Sequence, residues 1–201
     1  ADGPYVIDIG SAVTLNGSGS IDPDAACGDS IVRYQWDLKN DGTFDVDTTA
    51  ATASVTWATL TALAVPYPGF AVPVRLLVTD SLGLTHSATS TLTIYDNRPF
   101  ASFTATPNPA ACQQAILFNG SGSTHGRPDR SIVSYAWNFG DGQTFASAAP
   151  TVSHPYNLFG SYVATLTVTD NNAPPRTDTK STTVQVNLGN HAPVANADGP
   201  Y

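Results

Sequence analysis

The chain has 201 residues with no glutamate and no methionine, and its only lysines are Lys39 and Lys180. Those residue types populate the faces of surface helices, so their scarcity argues against a helical domain. Every one of its sixteen acidic residues is aspartate, and eight Lys plus Arg leave a net charge of −8. A surface of that sign repels phosphate backbones, which argues against nucleic acid as a partner. No apolar run approaches the roughly 20 residues that a membrane helix requires, so no membrane insertion is expected. Cysteine is limited to Cys27 and Cys112. Two domains of about one hundred residues can each bury a sufficient core without an internal staple. Motifs of catalysis are missing as well: there is no Gly-x-Ser-x-Gly elbow, phosphate loop, zinc motif or dinucleotide fingerprint. His86, His125, His154 and His191 fall in four unrelated contexts, and the expectation is that the chain is not an enzyme.

Valine, threonine, alanine, serine, glycine and proline fill the space that is left. Stretches such as Val72-Pro-Val-Arg-Leu-Leu-Val78, Thr89-Ser-Thr-Leu-Thr-Ile94 and Tyr162-Val-Ala-Thr-Leu-Thr-Val168 alternate as half-buried strands do. Asp2, Asp22 and Asp24 stand beside glycine and proline, the setting of turns. Turns rich in carboxylates are also where hard cations are held.

Two repeats organise the chain. Ala1-Asp-Gly-Pro-Tyr5 returns letter for letter as Ala197-Asp-Gly-Pro-Tyr201, an offset of 196 residues, so the sequence reads as one period of a longer array. Inside that period Asn16-Gly-Ser-Gly-Ser20 matches Asn119-Gly-Ser-Gly-Ser123, Ser30-Ile-Val-Arg-Tyr-Gln-Trp36 matches Ser131-Ile-Val-Ser-Tyr-Ala-Trp137, and Leu77-Val-Thr-Asp80 resembles Thr167-Val-Thr-Asp170. Two homologous domains follow, with a seam near Tyr95-Asp-Asn-Arg-Pro-Phe100. The first carries an insertion between its Trp and its Val-Thr-Asp.

At Tyr135-Ala-Trp-Asn-Phe-Gly-Asp-Gly142, His154-Pro-Tyr156, Gly160-Ser-Tyr162 and Leu166-Thr-Val-Thr-Asp170 the second domain resembles the PKD family of immunoglobulin-like domains. The first keeps Tyr34-Gln-Trp36 and Val78-Thr-Asp80 but lacks the His-x-Tyr element. The resemblance implies an all-β fold of two tandem immunoglobulin-like (PKD-type) β-sandwiches: residues 1–96, residues 97–189, and residues 190–201 as the opening strand of the next repeat. Domain one would then take its own first strand from a preceding unit, either the same polypeptide continuing or another subunit donating a strand. Trp36 and Trp137 are expected in the core, Tyr162 as a tyrosine corner, and His154 in a structural role. The sequons at Asn16 and Asn119 coincide with a strand-end turn that explains them without sugar.

In such a sandwich the start of the first strand, the loop after the second and the end of the sixth meet at one pole. For domain one these places hold Asp2, Asp22, Asp24 and Asp80, an oxygen-rich set suited to Ca²⁺, with a solvated loop in which Asp22 caps a turn as the plain alternative. Domain two has lost the Asp-x-Asp pair and retains Asp170, Asn97 and Asp129, so it is expected to bind Ca²⁺ weakly or not at all. Asp37-Leu-Lys-Asn-Asp-Gly-Thr-Phe-Asp45 resembles an EF-hand loop, or is an ordinary hairpin turn. Cys27 and Cys112 fall at opposite poles of different domains. In a head-to-tail stack they suit an inter-unit disulfide, or else remain two separately buried thiols.

The function expected is a non-catalytic extracellular or cell-surface structural module, repeated head to tail as a calcium-stiffened stalk, fibre or filament with neighbouring copies as partners. The alternative is an accessory binding module of a secreted polysaccharide- or protein-degrading enzyme. Exposed aromatics in a row, from Trp57, Tyr67 and Phe70, would suit carbohydrate as its partner, with Trp57 of Ala53-Ser-Val-Thr-Trp57 as a strand residue packed on the core the plain alternative.

Overall fold

The computed structural model describes residues 2–189, so the segment 190–201 read above as an opening strand lies outside the described residues. The chain divides into two compact units, Ala1–Asn97 and Arg98–Tyr201, each a sandwich of two principal sheets. Unit 1 contains β1 (Tyr5–Asp8), β2 (Val13–Asn16), β3 (Ile31–Asp37), β4 (Val46–Thr48), β5 (Thr52–Val55), α1 (Trp57–Ala62), β6 (Ala71–Asp80) and β7 (Thr85–Tyr95). Its large sheet runs β1-β7-β6-β3-β4 and faces the pair β2-β5. Unit 2 contains β8 (Pro99–Phe100), β9 (Thr104–Thr106), β10 (Ala110–Ala111), β11 (Ala115–Asn119), β12 (Thr124–His125), β13 (Ile132–Asn138), β14 (Thr144–Ser147), β15 (Thr151–Pro155), β16 (Gly160–Asp170) and β17 (Thr177–Asn187). There β10-β17-β16-β13-β14 faces β15-β11-β9, with β8 and β12 as an extra ribbon.

Period-two alternation decides which side chains meet between the sheets. Val72, Val74 and Leu76 of β6 point inward, as do Ala164, Leu166 and Val168 of β16. Trp36 and Trp137 lie buried at the centres of their units, paired across the ladder with Leu76 and Leu166. In unit 2 the indole is met edge-on by Phe103 at 5.2 Å and by Phe118 at 5.7 Å. In unit 1 that role falls to Tyr5, 6.4 Å from Trp36 at 75°. The Tyr5 hydroxyl both donates to the Asn16 carbonyl and accepts its N–H, each at 3.1 Å. Burial raises the Tyr5 pKa, the Asn16 hydrogen bond opposing it and the nearby Asp2 charge adding to it.

The first strand is divided between the sheets in both units. In unit 2, β9 pairs antiparallel with β11, and the chain then crosses so that β10 pairs parallel with β17. In unit 1, the Asp2 N–H reaches the Asn16 carbonyl at 3.0 Å, and β1 crosses to pair parallel with β7. The Asn-Gly-Ser turns close on themselves, Asn16 Oδ1 accepting from Ser18 N and Asn119 Oδ1 from Ser121 N, both at 2.9 Å.

The second unit's turn after Trp137 is latched from three directions. His154 Nε2 lies 2.8 Å from Asp141 Oδ2, its ring stacks on Phe139 at 3.9 Å, and the buried Tyr156 hydroxyl donates to the Phe139 carbonyl at 2.8 Å. Gly140 sits at φ +82° so close to β16 that a Cβ would lie 2.6 Å from the Val163 carbonyl oxygen, which only glycine avoids. Tyr162 donates to the Leu158 carbonyl at 2.9 Å, forming the expected corner. Unit 1 has no histidine latch. Its insertion holds the short helix α1 in an otherwise all-β unit: Thr56 caps the helix by accepting from Thr59 N at 3.2 Å, and Leu60 is driven into the core. Trp57 therefore opens a helix instead of sitting in a strand, packed against the core and edge-on to Tyr67 at 5.2 Å.

Replacing Tyr5 tests how much the ring packed on Trp36 contributes to unit 1. Tyr5→Ala is expected to lower unit 1 stability by about 3–5 kcal/mol, the usual cost of deleting a buried aromatic. Tyr5→Phe, losing only the hydroxyl bonds, should cost about 1 kcal/mol. Urea unfolding followed at Trp36 and Trp137 separately should move the unit 1 transition alone.

Candidate metal centre

The leading pole of unit 1 is built by the loop between β2 and β3 and the tight turn between β6 and β7. Pairing of Ile31 with Asp80 brings the start of β3 beside the end of β6. Asp80 then closes its turn, Oδ1 accepting from Leu82 N at 2.9 Å and Leu84 N at 2.8 Å. Asp29 bridges the two segments: Oδ1 accepts from Ser30 N at 2.8 Å, Ser81 N at 3.2 Å and the Ser81 hydroxyl at 2.5 Å. Asp22 Oδ1 accepts from Asp24 N at 2.9 Å. The result gathers Asp22, Asp29 and Asp80, with ligand oxygens within 4.8 Å of one another.

Two features suit this cluster to a cation. Asp22 Oδ2 is sealed from solvent and has no hydrogen-bond partner, which is costly for a carboxylate oxygen unless a positive charge meets it. The Ser81 hydroxyl first, then the backbone N–H groups of Ser30 and Ser81, hold the Asp29 carboxyl below its ordinary range against the opposing effect of burial. Hard divalent cations of the Ca²⁺ type take about six to eight oxygens, so water and further oxygens would have to complete a shell around these three side chains.

Of the four residues read from the sequence, Asp22 and Asp80 come together. Asp24 lines the same cleft but stays outside the cluster. Asp2 also lies outside it, packed beside Gly19. Asp29 is the residue that sequence reading missed. It stands two places before β3, so the strand pairing that positions Asp80 carries it to the pole. The EF-hand-like loop holds itself shut. Buried Asp37 accepts from the N–H groups of Lys39, Asp41 and Gly42, Asp45 accepts from Leu38 N at 2.8 Å, and Lys39 pairs with Asp41 at 2.9 Å. It is a hairpin turn whose inner carboxylate is already saturated.

Unit 2 answers the same electrostatic problem with a side chain. Counting from the shared Asn-Gly-Ser-Gly-Ser, His125 falls at the place of Asp22, and its Nε2 lies 3.1 Å from Asp170 Oδ2, both side chains buried. His125 Nδ1 accepts from Arg127 N at 3.0 Å, which assigns the ring proton to Nε2, facing Asp170. Burial pushes the Asp170 carboxyl up, but the N–H groups of Arg176 and Asn172, then His125 and the Asn172 amide, together leave it below its ordinary value. Asp129 pairs with Arg127 at 2.9 Å, and Asn97 donates to Asp8 at 2.8 Å. Among the described residues no metal-type cluster occurs in unit 2.

The two cysteines are free. Cys27 is exposed, whereas Cys112 packs against the core with Sγ 3.0 Å from the Asn157 carbonyl, so a disulfide to another copy would require Cys112 to leave that carbonyl. Tyr67 and Phe70 are 41% and 63% exposed, but Trp57 meets Tyr67 at 65° and does not lie flat beside it.

The PKD domain family model matches residues 96–186, the span that carries the latched turn, the tyrosine corner and Asp170. The chain belongs to the PKD-domain family. A PKD domain from the Vibrio cholerae metalloprotease PrtV has a solved structure that is 32% identical, covering 45% of this chain and 99% of that one at a TM-score of 0.36. The pre-pro-metalloprotease PrtV of Vibrio cholerae serotype O1 is 46% identical over 39% of this chain and 8% of its own length. Collagenase ColA of Clostridium perfringens is 41% identical over 34% of this chain and 6% of its own length. The chain thus spans less than a tenth of the curated relatives it matches. Among the described residues no helix is long and apolar enough to cross a membrane.

The Asp170 network gives a pH-dependent expectation for the PKD domain. Because the folded carboxyl lies below its unfolded value, its contribution is complete above the ordinary carboxylate range of about 4 and is lost as pH falls through the folded value. Asp170→Ala leaves several buried donors without an acceptor and should cost unit 2 about 3 kcal/mol or more. Thermal melts between neutral and acid pH should show the acid-induced loss in the parent chain and a flatter profile in the variant.

Proposed function

We propose that the chain is a non-catalytic extracellular PKD module that acts as a spacer, repeated head to tail in a stalk, surface fibre or filament and stiffened by Ca²⁺ at Asp22, Asp29 and Asp80. The observation that carries the calcium reading is the sealed, unpartnered Oδ2 of Asp22 within reach of two further carboxylates. A cation there would tie the loop before β3 to the turn after β6, fixing the leading pole. Asp24, in the same cleft, is the next side chain placed to add an oxygen. Neighbouring copies are the partners this reading requires.

A second reading is favoured by the relatives: a metalloprotease and a collagenase carry the matching domain, which supports an accessory module of a secreted polymer-degrading enzyme. The exposed rings of Tyr67 and Phe70 are its candidate contact residues. Retention of the chain on insoluble collagen or cellulose, abolished by Tyr67→Ala with Phe70→Ala, would select it over the spacer.

Calcium at one hundred times its Kd should stabilise unit 1 by about 2.7 kcal/mol. Thermal melts in chelator and in millimolar Ca²⁺ should therefore separate for unit 1 and coincide for unit 2. The separation should vanish in Asp22→Ala with Asp29→Ala. Equal melts for the parent chain, or a shift that survives both substitutions, would remove the site.

A further inference from the structure

The open edges of the two large sheets differ in charge. Strand β14 ends the large sheet of unit 2, pairing with β13 and with no further strand beyond it among the described residues. At the base of that hairpin the Phe139 N–H donates to the Gln143 carbonyl at 3.1 Å. Counting along the antiparallel ladder from this bond, Phe145 and Ser147 direct their backbone groups at β13, and Thr144 and Ala146 direct theirs at the open edge. Thr144, Phe145 and Ala146 are exposed, Phe145 at 45%.

An open edge is a template for another strand, and folded proteins ordinarily guard it with charge, proline or a bulge. Unit 1 does so. Register sets Val46 across from Trp36 and Phe145 across from Trp137, so Asp45 and Asp47 stand in unit 1 where Thr144 and Ala146 stand in unit 2. Arg33 pairs with Asp47, and the whole edge is charged. In unit 2 no charged residue occurs from Gly142 to Ser153, and β14 has neither a proline nor a register shift against β13. The sheet surface beside it, formed by Ala136, Asn138, Thr165 and Thr167, is uncharged as well.

We propose that β14 is a homotypic docking strand, which pairs antiparallel with β14 of a second copy about a two-fold axis at Phe145 and joins two unit 2 sandwiches side by side. The strand is self-complementary about that axis. Thr144 of each copy exchanges N–H and C=O bonds with Ala146 of the other, which satisfies the edge-facing groups of both residues. The two Phe145 side chains meet at the intervening position without hydrogen bonds, where opposed side chains lie closest, and each ring covers the other. Charge favours a second copy as the occupant: at a net −8 the chains repel one another, and this strand lets them meet without bringing carboxylates together. Two such short strands bury far less than the roughly 1,200–2,000 Å² of a stable complex. Single chains therefore associate weakly and reversibly, and units linked in a row reinforce the contact by multivalency. The pairing needs neither the calcium site nor head-to-tail repetition, and its test is run in chelator.

Sedimentation of the full chain up to millimolar concentration is expected to show reversible dimerisation, and hydrogen exchange should show protection of the Thr144 and Ala146 amides that grows with concentration. Phe145→Lys and Phe145→Asp, each checked for folding by circular dichroism, should each weaken association at least about tenfold, because the axis sets like charges opposite one another. An equal mixture of the two variants should associate again, since opposite charges then meet across the axis. No concentration dependence, association that survives either substitution, or a mixture that stays monomeric would overturn the proposal. Protection of the same two amides by an extended peptide of alternating threonine and valine, with no self-association of the chain, would assign the edge to a strand of another protein and remove the pairing of copies.

Discussion

The indole buried between the two sheets, Trp36 in one unit and Trp137 in the other, is the contact from which the remaining geometry is set. A one-residue slip of either neighbouring strand would turn every inward residue to solvent, so packing on the ring fixes the pairing of Trp36 with Leu76 and of Trp137 with Leu166. Four residues along from each leucine, that register delivers an aspartate to the same pole. Asp80 and Asp170 owe their positions to a hydrophobic constraint, and their chemistry follows from what the loop after the second strand brings to meet them.

What it brings differs between the units. Unit 1 presents Asp22 and Asp29, so like charges converge and an oxygen is left sealed without a partner. Unit 2 presents His125 and surrounds its aspartate with N–H donors. With histidine at the place of Asp22 and Arg130 at the place of Asp29, a site that calls for an external positive charge becomes one satisfied from within. Asp170 is buried and fully bonded as a result, whereas Asp80 bonds only its own turn.

Much of this architecture was legible in the sequence because the second domain states it redundantly: the alternation of Tyr162–Val168, the glycine before Tyr162 and the Trp-x-Phe-Gly-Asp-Gly turn all specify the same sandwich. Tyr162 and His154 could be placed from their neighbours alone. Helix α1 could not, since Trp57–Ala62 mixes strand-favouring Trp and Thr with helix-favouring Ala and Leu, and beyond the local Thr56 cap it is the burial of Leu60, a tertiary effect, that holds so short a helix. Asp29 was hidden for a related reason. It sits in no Asp-x-Asp pair, and its approach to Asp80 depends on the bulged pairing of β3 with β6, a long-range contact that spacing along the chain does not disclose. Asp2 illustrates the converse: its Asp-Gly-Pro setting is conspicuous in the sequence, but its side chain packs beside Gly19 and stays outside the cluster.

The parallel pairing of first and last strands has a mechanical meaning. Tension that enters at the start of β1 and leaves at the end of β7 pulls the two strands along their length in opposite directions. The hydrogen bonds between them are then loaded together in shear and do not open one at a time. Unit 1 resists with four residue pairs, Tyr5–Asp8 against Leu92–Tyr95, while in unit 2 β10 and β17 share only two. Under load the second sandwich is the weaker link at its first strand, and a chain of such units would lengthen there before the first sandwich yields.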